Sequence, residues 1–332
     1  MNRRAFISGI LTTYLSLFHA QSRAVDVTMN RKKIRKTGFV SDPVFFKHHI
    51  APGHPETPER IKFIHSAMKK AGLLEKIQSF EIKQEVENWL HSIHTDMHIQ
   101  LIQQNEPVAY QVAISAVGAC LSAIDQVVQK NLDNAFCAIR PPGHHALNTG
   151  REEGFCYFNN IAIAARYAQK EYGLKKILIV DWDYHHGNST EAIFYDDPSV
   201  LYFSTHDQFA YPGTGDPAKK GSGKGLGYNI NLHLPCGTTD QEIAAAFIKY
   251  LLPAADSFKP DIVLISAGFD SRQDDLLGCF NVSDAGFVEL TEIVMQIAEQ
   301  HCEGRVVSIL EGGYNLEGNA RAVVSHVRTL LS

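Results

Sequence analysis

An α/β domain built on a largely parallel sheet, with helices on both faces, is the fold class this sequence predicts. Three observations carry that expectation. Short apolar runs alternate with longer amphipathic stretches from about Gly38 onward, the rhythm of βα units. Most of the runs are rich in Val, Ile and Leu without polar alternation, as strands covered on both faces must be. Polar residues able to do chemistry gather just past the ends of those runs, where open parallel sheets collect their ligands. The chain has 332 residues, 45% of them hydrophobic and 20% charged, an ordinary globular composition that allows one large core.

In chain order, Gly38–Val40 is the first expected strand. A helix over Pro58–Ala71 follows Glu56-Thr57, with Ile61, Ile64, Met68 and Ala71 at helical spacing and a proline where the first turn tolerates one. The Ala-rich stretch Val108–Gln129 predicts a long helix, and Ala135–Ile139 a strand. Ile161–Tyr172 is a helix that either Asn159 or Asn160 can cap. Lys176–Asp181 and Val200–Ser204 are strands, and Asp207–Gly227, rich in Gly, Pro and Lys, is a long surface loop of a length that tends to be functional. Strand Tyr228–Leu232, helix Asp240–Phe258, strand Asp261–Ser266, helix Ser283–Cys302, strand Arg305–Leu310 and helix Gly318–Leu331 complete the pattern. There is no internal repeat, no low-complexity linker and no sign of a second domain.

The first residues differ from the rest. Arg3-Arg4 precedes an apolar stretch from Ala5 to Ala20, and small residues continue to Ala24, the layout of an export leader of the twin-arginine type. Ser8, Gly9, Thr12, Thr13 and Ser16 make that stretch too polar for a good membrane span. The expected organisation is a leader over 1–24, a basic tether over 25–37 and a single catalytic domain over 38–332. The mature chain is then expected in the periplasm or outside the cell, or in the cytoplasm if the leader is not used, with no membrane span left. The formal net charge is -5, which excludes the strong basic surplus of a nucleic-acid binder; the cluster Arg31–Lys36 reads as a solvated tether. The six cysteines, Cys120, Cys137, Cys156, Cys236, Cys279 and Cys302, include no CxxC pair, and all six are expected as free thiols.

The strongest chemical signal is the run from Ile177 to Asn188. A buried apolar strand ends in Asp181, Asp183, His185 and His186, and in extended geometry Asp181, Asp183 and His185 alternate onto one face. Several such groups at one buried strand end are costly unless a cation compensates them. A second strand runs out through Ser266-Ala267-Gly268-Phe269 into Asp270, delivering another carboxylate to the same edge. Asp183, His185 and Asp270 thus form a three-ligand oxygen and nitrogen set, the pattern of catalytic rather than structural zinc. A two-metal hydrolase of the arginase type would need a further aspartate soon after Asp270. Arg272 has the wrong charge for that role.

His144 and His145 follow Arg140-Pro141-Pro142-Gly143 on a stiff turn. Adjacent imidazoles near a metal suit one base and one acid, and Asp181 and Asn188 are natural partners for their second nitrogens. Tyr314, after Glu311-Gly312-Gly313 at the end of the last strand, can aim a hydroxyl at a carbonyl and stabilise an oxyanion. Phe155 and Tyr211 are two aromatic walls suited to an extended methylene chain, with core packing the alternative for Phe155.

His54–Arg60, Arg140–Ala146, Gly154–Asn160, Asp181–Asn188, Tyr211–Gly215, Ser266–Asp270 and Glu311–Tyr314, in that order, resemble the motifs of the histone deacetylase and acetylpolyamine amidohydrolase superfamily on its class II-like side. The resemblance covers nearly all of the chain from Gly38. It implies a three-layer arginase/deacetylase-like fold and a zinc-dependent amidohydrolase. The substrate would be an acetylated lysine peptide or protein, or a small N-acetyl amine. It implies Asp183, His185 and Asp270 as zinc ligands and His144 and His145 as the proton-transfer pair, with Asp181 and Asn188 behind them. Tyr314 would be the catalytic tyrosine, and Phe155, Tyr211 and Leu277, beside Gly154, the channel walls. It also implies structural potassium near Asp181, Asp183, His185, Ser204 and Thr205, and a second monovalent site near Phe194, Asp197, Val200 and Tyr228. Two segments depart from the family pattern. Gln103–Val108 is short where relatives carry a longer loop with a substrate-holding aspartate, and Glu106 is a poor substitute. Arg272–Leu277 replaces a Gly-Asp-Pro stretch, and Leu277 stands where polyamine-selective relatives have an acidic residue, which argues against a polyamine substrate.

Overall fold

Each of the seven apolar runs becomes a strand in the computed structural model, which describes residues 35–332. The strands are β1 (Thr37–Val40), β2 (Asn134–Cys137), β3 (Ile177–Asp181), β4 (Val200–His206), β5 (Asn229–His233), β6 (Ile262–Ala267) and β7 (Val306–Leu310). They form one sheet in the order β1-β2-β7-β6-β3-β4-β5, and every neighbouring pair is parallel. The leader, and the tether up to residue 34, lie outside the described residues.

The helices are α1 (Glu59–Lys70), α2 (Glu87–Leu90), α3 (Asp96–Asn105), α4 (Pro107–Val128), α5 (Asn160–Tyr172), α6 (Asn188–Phe194), α7 (Asp240–Ala246), α8 (Leu252–Phe258), α9 (Asp284–Cys302) and α10 (Leu316–Leu331). Local chemistry sets several of their starts. Asn159, not Asn160, caps α5 by accepting from the Ala162 N–H at 3.0 Å. Ser283 caps α9, Asn315 caps α10, and Thr239 with Glu242 forms a capping box on α7. α4 is long and apolar enough to cross a membrane, but most of it is buried. It packs on α5, β2 and β7 and is a core helix.

The helix over Asp240–Phe258 forms with the expected bounds, widened at Phe247–Leu251 next to Pro253, which cannot donate to the helical ladder. Two expectations change. The segment Gln103–Val108 is no loop: α3 runs to Asn105 and α4 starts at Pro107, leaving exposed Glu106 as the only link. The six cysteines are not all free. Cys236, after β5, and Cys279, after β6, form a disulfide with their Cα atoms 5.1 Å apart, while Cys120, Cys137, Cys156 and Cys302 are free and buried. The bonded pair is 43 residues apart, and only the fold brings the two loops together.

Candidate active site

Four strands adjacent in the sheet, β2, β7, β6 and β3, supply the reactive residues from their carboxyl ends. The Asp181 end of β3 lies level with Ser266 of β6, so the two chains leave the sheet side by side. β3 stops at Asp181, and the chain turns before Asp183 and His185. The expected single face of three residues is therefore not formed: Asp181 turns toward His144, while Asp183 and His185 meet Asp270 from β6. His185 Nδ1 is 3.0 Å from Asp270 Oδ2 and 3.2 Å from Asp183 Oδ1. Each of the three residues offers one ligand atom within 4.8 Å of the others. Backbone donors orient the carboxylates: the Gly312 N–H reaches Asp183 at 2.8 Å and the Tyr184 N–H reaches Asp270 at 2.9 Å. A Cβ on Gly268 would overlap the Asp183 carboxylate, and one on Gly312 would overlap that of Asp270, so both close approaches require glycine.

The charges are arranged as a cation would need. Burial, then the neighbouring Asp183, push the Asp270 carboxyl up to about 7. Burial also opposes ionisation of Asp183, but His144 and His185 outweigh it and hold Asp183 well below the usual carboxylate range. Two buried carboxylates, one of them raised by the other, are resolved by a divalent ion placed between them. The donor set, its burial and the space kept by the glycines fit zinc with three protein ligands. Arg272 is buried and pairs with Asp284 at 2.7 Å, and no second group of metal-ligand type occurs among the described residues.

The histidine turn is anchored from below. Arg140 donates to Glu56 and, at 2.7 Å each, to the carbonyls of Phe45 and His48. Glu311 accepts the N–H groups of Gly143 at 2.6 Å and His144 at 3.2 Å. His144 Nδ1 then meets Asp181 at 3.2 Å, and Tyr202 donates to the same carboxylate at 3.0 Å. His145 Nδ1 meets the Asn188 amide oxygen at 2.7 Å. The two rings lie 4.0 Å apart in opposite electrostatic surroundings. Burial lowers the His144 pKa, but Asp183, Asp181 and Glu311 outweigh it and carry it up to about 10. Burial, reinforced by His144 and His185, takes His145 well below its ordinary value. The two rings are thus biased in opposite directions, His144 toward the imidazolium and His145 toward the neutral imidazole.

A cavity of about 470 Å³ opens above these groups. His145, His185 and Tyr314 line its depth, and Phe155, Tyr211 and Leu277 its sides, with Gly154 in the wall. Phe155 is therefore a wall residue and not core, its ring edge-on to Tyr314 at 5.8 Å. Tyr211 stands edge-on to His145 at 5.0 Å. Burial raises the Tyr314 pKa well above 10, so its hydroxyl stays a donor. Arg60 donates at 2.7 Å to the Gly313 carbonyl and at 2.5 Å to that of Glu311, fixing the approach to Tyr314. Asp181, Asn188 and His144 stand behind the cavity. Sequence reasoning misses Tyr184 and Ala210 as lining residues, Tyr202 as a partner of Asp181, and Glu311 as the support of the histidine turn. Tyr184 and Glu311 lie inside motifs already quoted; a tyrosine within a strand, like Tyr202, reads as core.

The model of the histone deacetylase domain matches residues 54–330. The "Probable deacetylase" of Archaeoglobus fulgidus is 38% identical over 298 residues, 85% of this chain and 82% of that one. The chloroplastic histone deacetylase 14 of Arabidopsis thaliana is 36% identical, covering 85% of this chain and 74% of its own. The polyamine deacetylase HDAC10 of Danio rerio is also 36% identical, over 83% of this chain and 44% of that longer one. The crystal structure of the HDA15 HD domain superposes with a TM-score of 0.84 at 34% identity, covering 90% of this chain and 88% of that domain.

Proposed function

The chain belongs to the histone deacetylase family and is a hydrolytic deacetylase; from that premise we propose that it removes acyl groups from lysine side chains of proteins or peptides, using one zinc ion held by Asp183, His185 and Asp270. The family is zinc-dependent. The observation that carries the proposal is the meeting of those three ligands with His145 and Tyr314 at the depth of an aromatic-walled cavity.

Asp183, His185 and Asp270 would hold the zinc ion, whose chemistry when bound would be to polarise the acyl carbonyl and acidify the attacking water. His145, neutral and with Nδ1–H donated to Asn188, presents Nε2 to take the proton from that water. Tyr314 donates its hydroxyl to the charge developing on the acyl oxygen. His145, now carrying the proton taken from the water, hands it to the departing amine, while His144 behind the cavity, hydrogen-bonded to Asp181, supports the ring that does so. The C–N bond breaks, the water oxygen stays on the carboxylate product, and the free lysine amine leaves. Phe155 and Tyr211 align the methylene chain. A panel of fluorogenic acyl-lysine peptides, assayed with and without chelator, tests this: hydrolysis that the chelator abolishes and zinc restores supports it, and no hydrolysis of any acyl-lysine refutes it.

A small N-acetyl amine is the alternative substrate, supported by the likeness to the Danio rerio polyamine deacetylase. Leu277 speaks against it, since an apolar wall gives a second ammonium group no partner. Acetylspermidine assayed beside the peptides separates the two. We extend the proposal to structural potassium near Asp181 and Ser204, supported by the buried Thr205 hydroxyl, which has no protein partner. Export is part of the same proposal, supported by the Cys236–Cys279 disulfide, which suits an oxidising compartment. Fractionation of expressing cells tests export.

A further inference from the structure

We propose that Asp275 is a positioning residue of the deacetylation reaction, its carboxylate clamping the Tyr314 backbone to the Leu277 wall so that the tyrosine hydroxyl meets the acyl oxygen. This rests on the oxyanion role given to Tyr314 above.

Tyr314 sits in a segment with no regular structure, between the end of β7 at Leu310 and the start of α10 at Leu316. Two glycines precede it, and Gly313 has φ +117°, a conformation that holds other residues poorly. Nothing in the local chain therefore fixes the ring, and the position of Tyr314 is set from outside. Arg60 binds the carbonyl side of the segment, at Gly313 and Glu311. Asp275 binds the amide side: one carboxylate oxygen accepts the N–H of Tyr314 at 2.7 Å and of Asn315 at 3.0 Å. The other accepts the N–H of Leu277 at 2.9 Å. Hydrogen bonds to a charged acceptor are shorter and stronger than neutral ones, and Asp275 makes three of them without a cation partner among the described residues.

The Asp275 loop is itself well founded. It begins at Asp270, is tied to α9 through Arg272 and Asp284 at 2.7 Å, and is tied to the segment after β5 by the Cys236–Cys279 bond. Asp274, with φ +64°, turns its carbonyl to accept from the Asn315 side chain at 2.8 Å. One carboxylate therefore carries the rigidity of the metal-ligand loop to the tyrosine and sets the spacing between wall and oxyanion donor. An amide cannot replace it: the side chain introduced by Asp275→Asn would offer one acceptor oxygen and turn its NH₂ toward the remaining N–H donors.

The test uses the full-length, zinc-loaded enzyme and an acetyl-lysine peptide. Asp275→Asn should lower kcat on the order of tenfold to a hundredfold, with KM changed less than about threefold and zinc content unchanged. Asp275→Glu, which keeps both charged acceptors, should recover part of that loss. The control Asp274→Asn, whose backbone contact is untouched, should stay within about twofold of wild type. The decisive readout is coupling. Adding Asp275→Asn to Tyr314→Phe should cost no more than about twofold beyond Tyr314→Phe alone, because the positioned hydroxyl is already gone. Each rate is read well below the variant's own melting temperature. Losses that multiply mean Asp275 acts on general stability and overturn the proposal, as does a wild-type kcat in Asp275→Asn. A Tyr314→Phe enzyme that turns over normally sinks the oxyanion role itself, a separate failure visible in the same series.

Discussion

The two sides of the cavity are built on different principles. On the metal side, Asp183, His185 and Asp270 leave the ends of central strands whose register is fixed along their length, and backbone N–H groups hold both carboxylates. On the opposite side, Tyr211 and Leu277 come from long loops and are partly exposed, at 50% and 39%. Beside them Phe209 and Leu276 are exposed at 79% and 66%. The difference teaches that the sheet fixes the metal side directly, while on the loop side exposed side chains such as Leu277 can vary as long as the Asp275 contacts to the Tyr314 backbone are kept.

Breaking the metal side should have the largest effect. On the proposed zinc site, Asp270→Ala would remove one of three ligands and leave Asp183 and His185 unable to hold the ion. Turnover should fall by about a thousandfold or more, as expected when several kcal/mol of charge stabilisation is lost, with zinc content by elemental analysis falling in parallel. Next comes the hydroxyl that the two sides share: Tyr314→Phe should lower kcat about a hundredfold to a thousandfold while zinc remains bound. Changing the loop side should redirect the enzyme without stopping it. Leu277→Glu should shift the ratio of kcat/KM for acetylspermidine over acetyl-lysine peptide upward by about tenfold, with zinc content unchanged. A shift of that ratio in the other direction would contradict the assignment of Leu277 to substrate selection.

The smallest effect concerns stability away from the site. Burial lowers the pKa of His326 from 6.5 to about 3, and that of His94, next to His98, to about 3. The folded protein then takes up no proton at these rings until about pH 3, while the unfolded chain does so near 6.5. Their contribution is full above about pH 6.5 and declines as pH falls toward 3, by on the order of 2 kcal/mol each at about pH 5. His326 bridges Thr291 and Ser308 at 2.8 Å each, so His326→Gln should lower the melting temperature at about pH 7 yet flatten its fall between about pH 7 and 5. Thermal unfolding across that range checks the slope.

The same contrast explains what could be read in the sequence. Strand ends are legible because an unalternated apolar run stops at a burst of polar residues, as at Asp181, Asp270 and Tyr314, and the seven strands then follow to within a residue or two. Contacts between segments far apart in sequence leave no such trace. The Cys236–Cys279 bond joins two loops, the Tyr202 hydroxyl reaches Asp181 from the neighbouring strand β4, and Glu311 grips the histidine turn from the end of β7, each without a spacing rule. α3 is hidden for another reason: its buried face includes His98 beside Ile99 and Ile102, so the apolar stripe is interrupted. The helix over Asp240–Phe258 is legible because its neighbours keep a helical rhythm through Pro253, which leaves its mark only as the widened turn at Phe247–Leu251.

Zinc titration of the metal-free protein, with bound metal and deacetylation of an acetyl-lysine peptide followed together, tests the central claim most directly. The three-ligand site predicts that activity rises linearly and saturates at one zinc per chain, and that Asp270→Ala neither binds nor responds. Saturation at two ions per chain, or full activity with no metal bound, would contradict it.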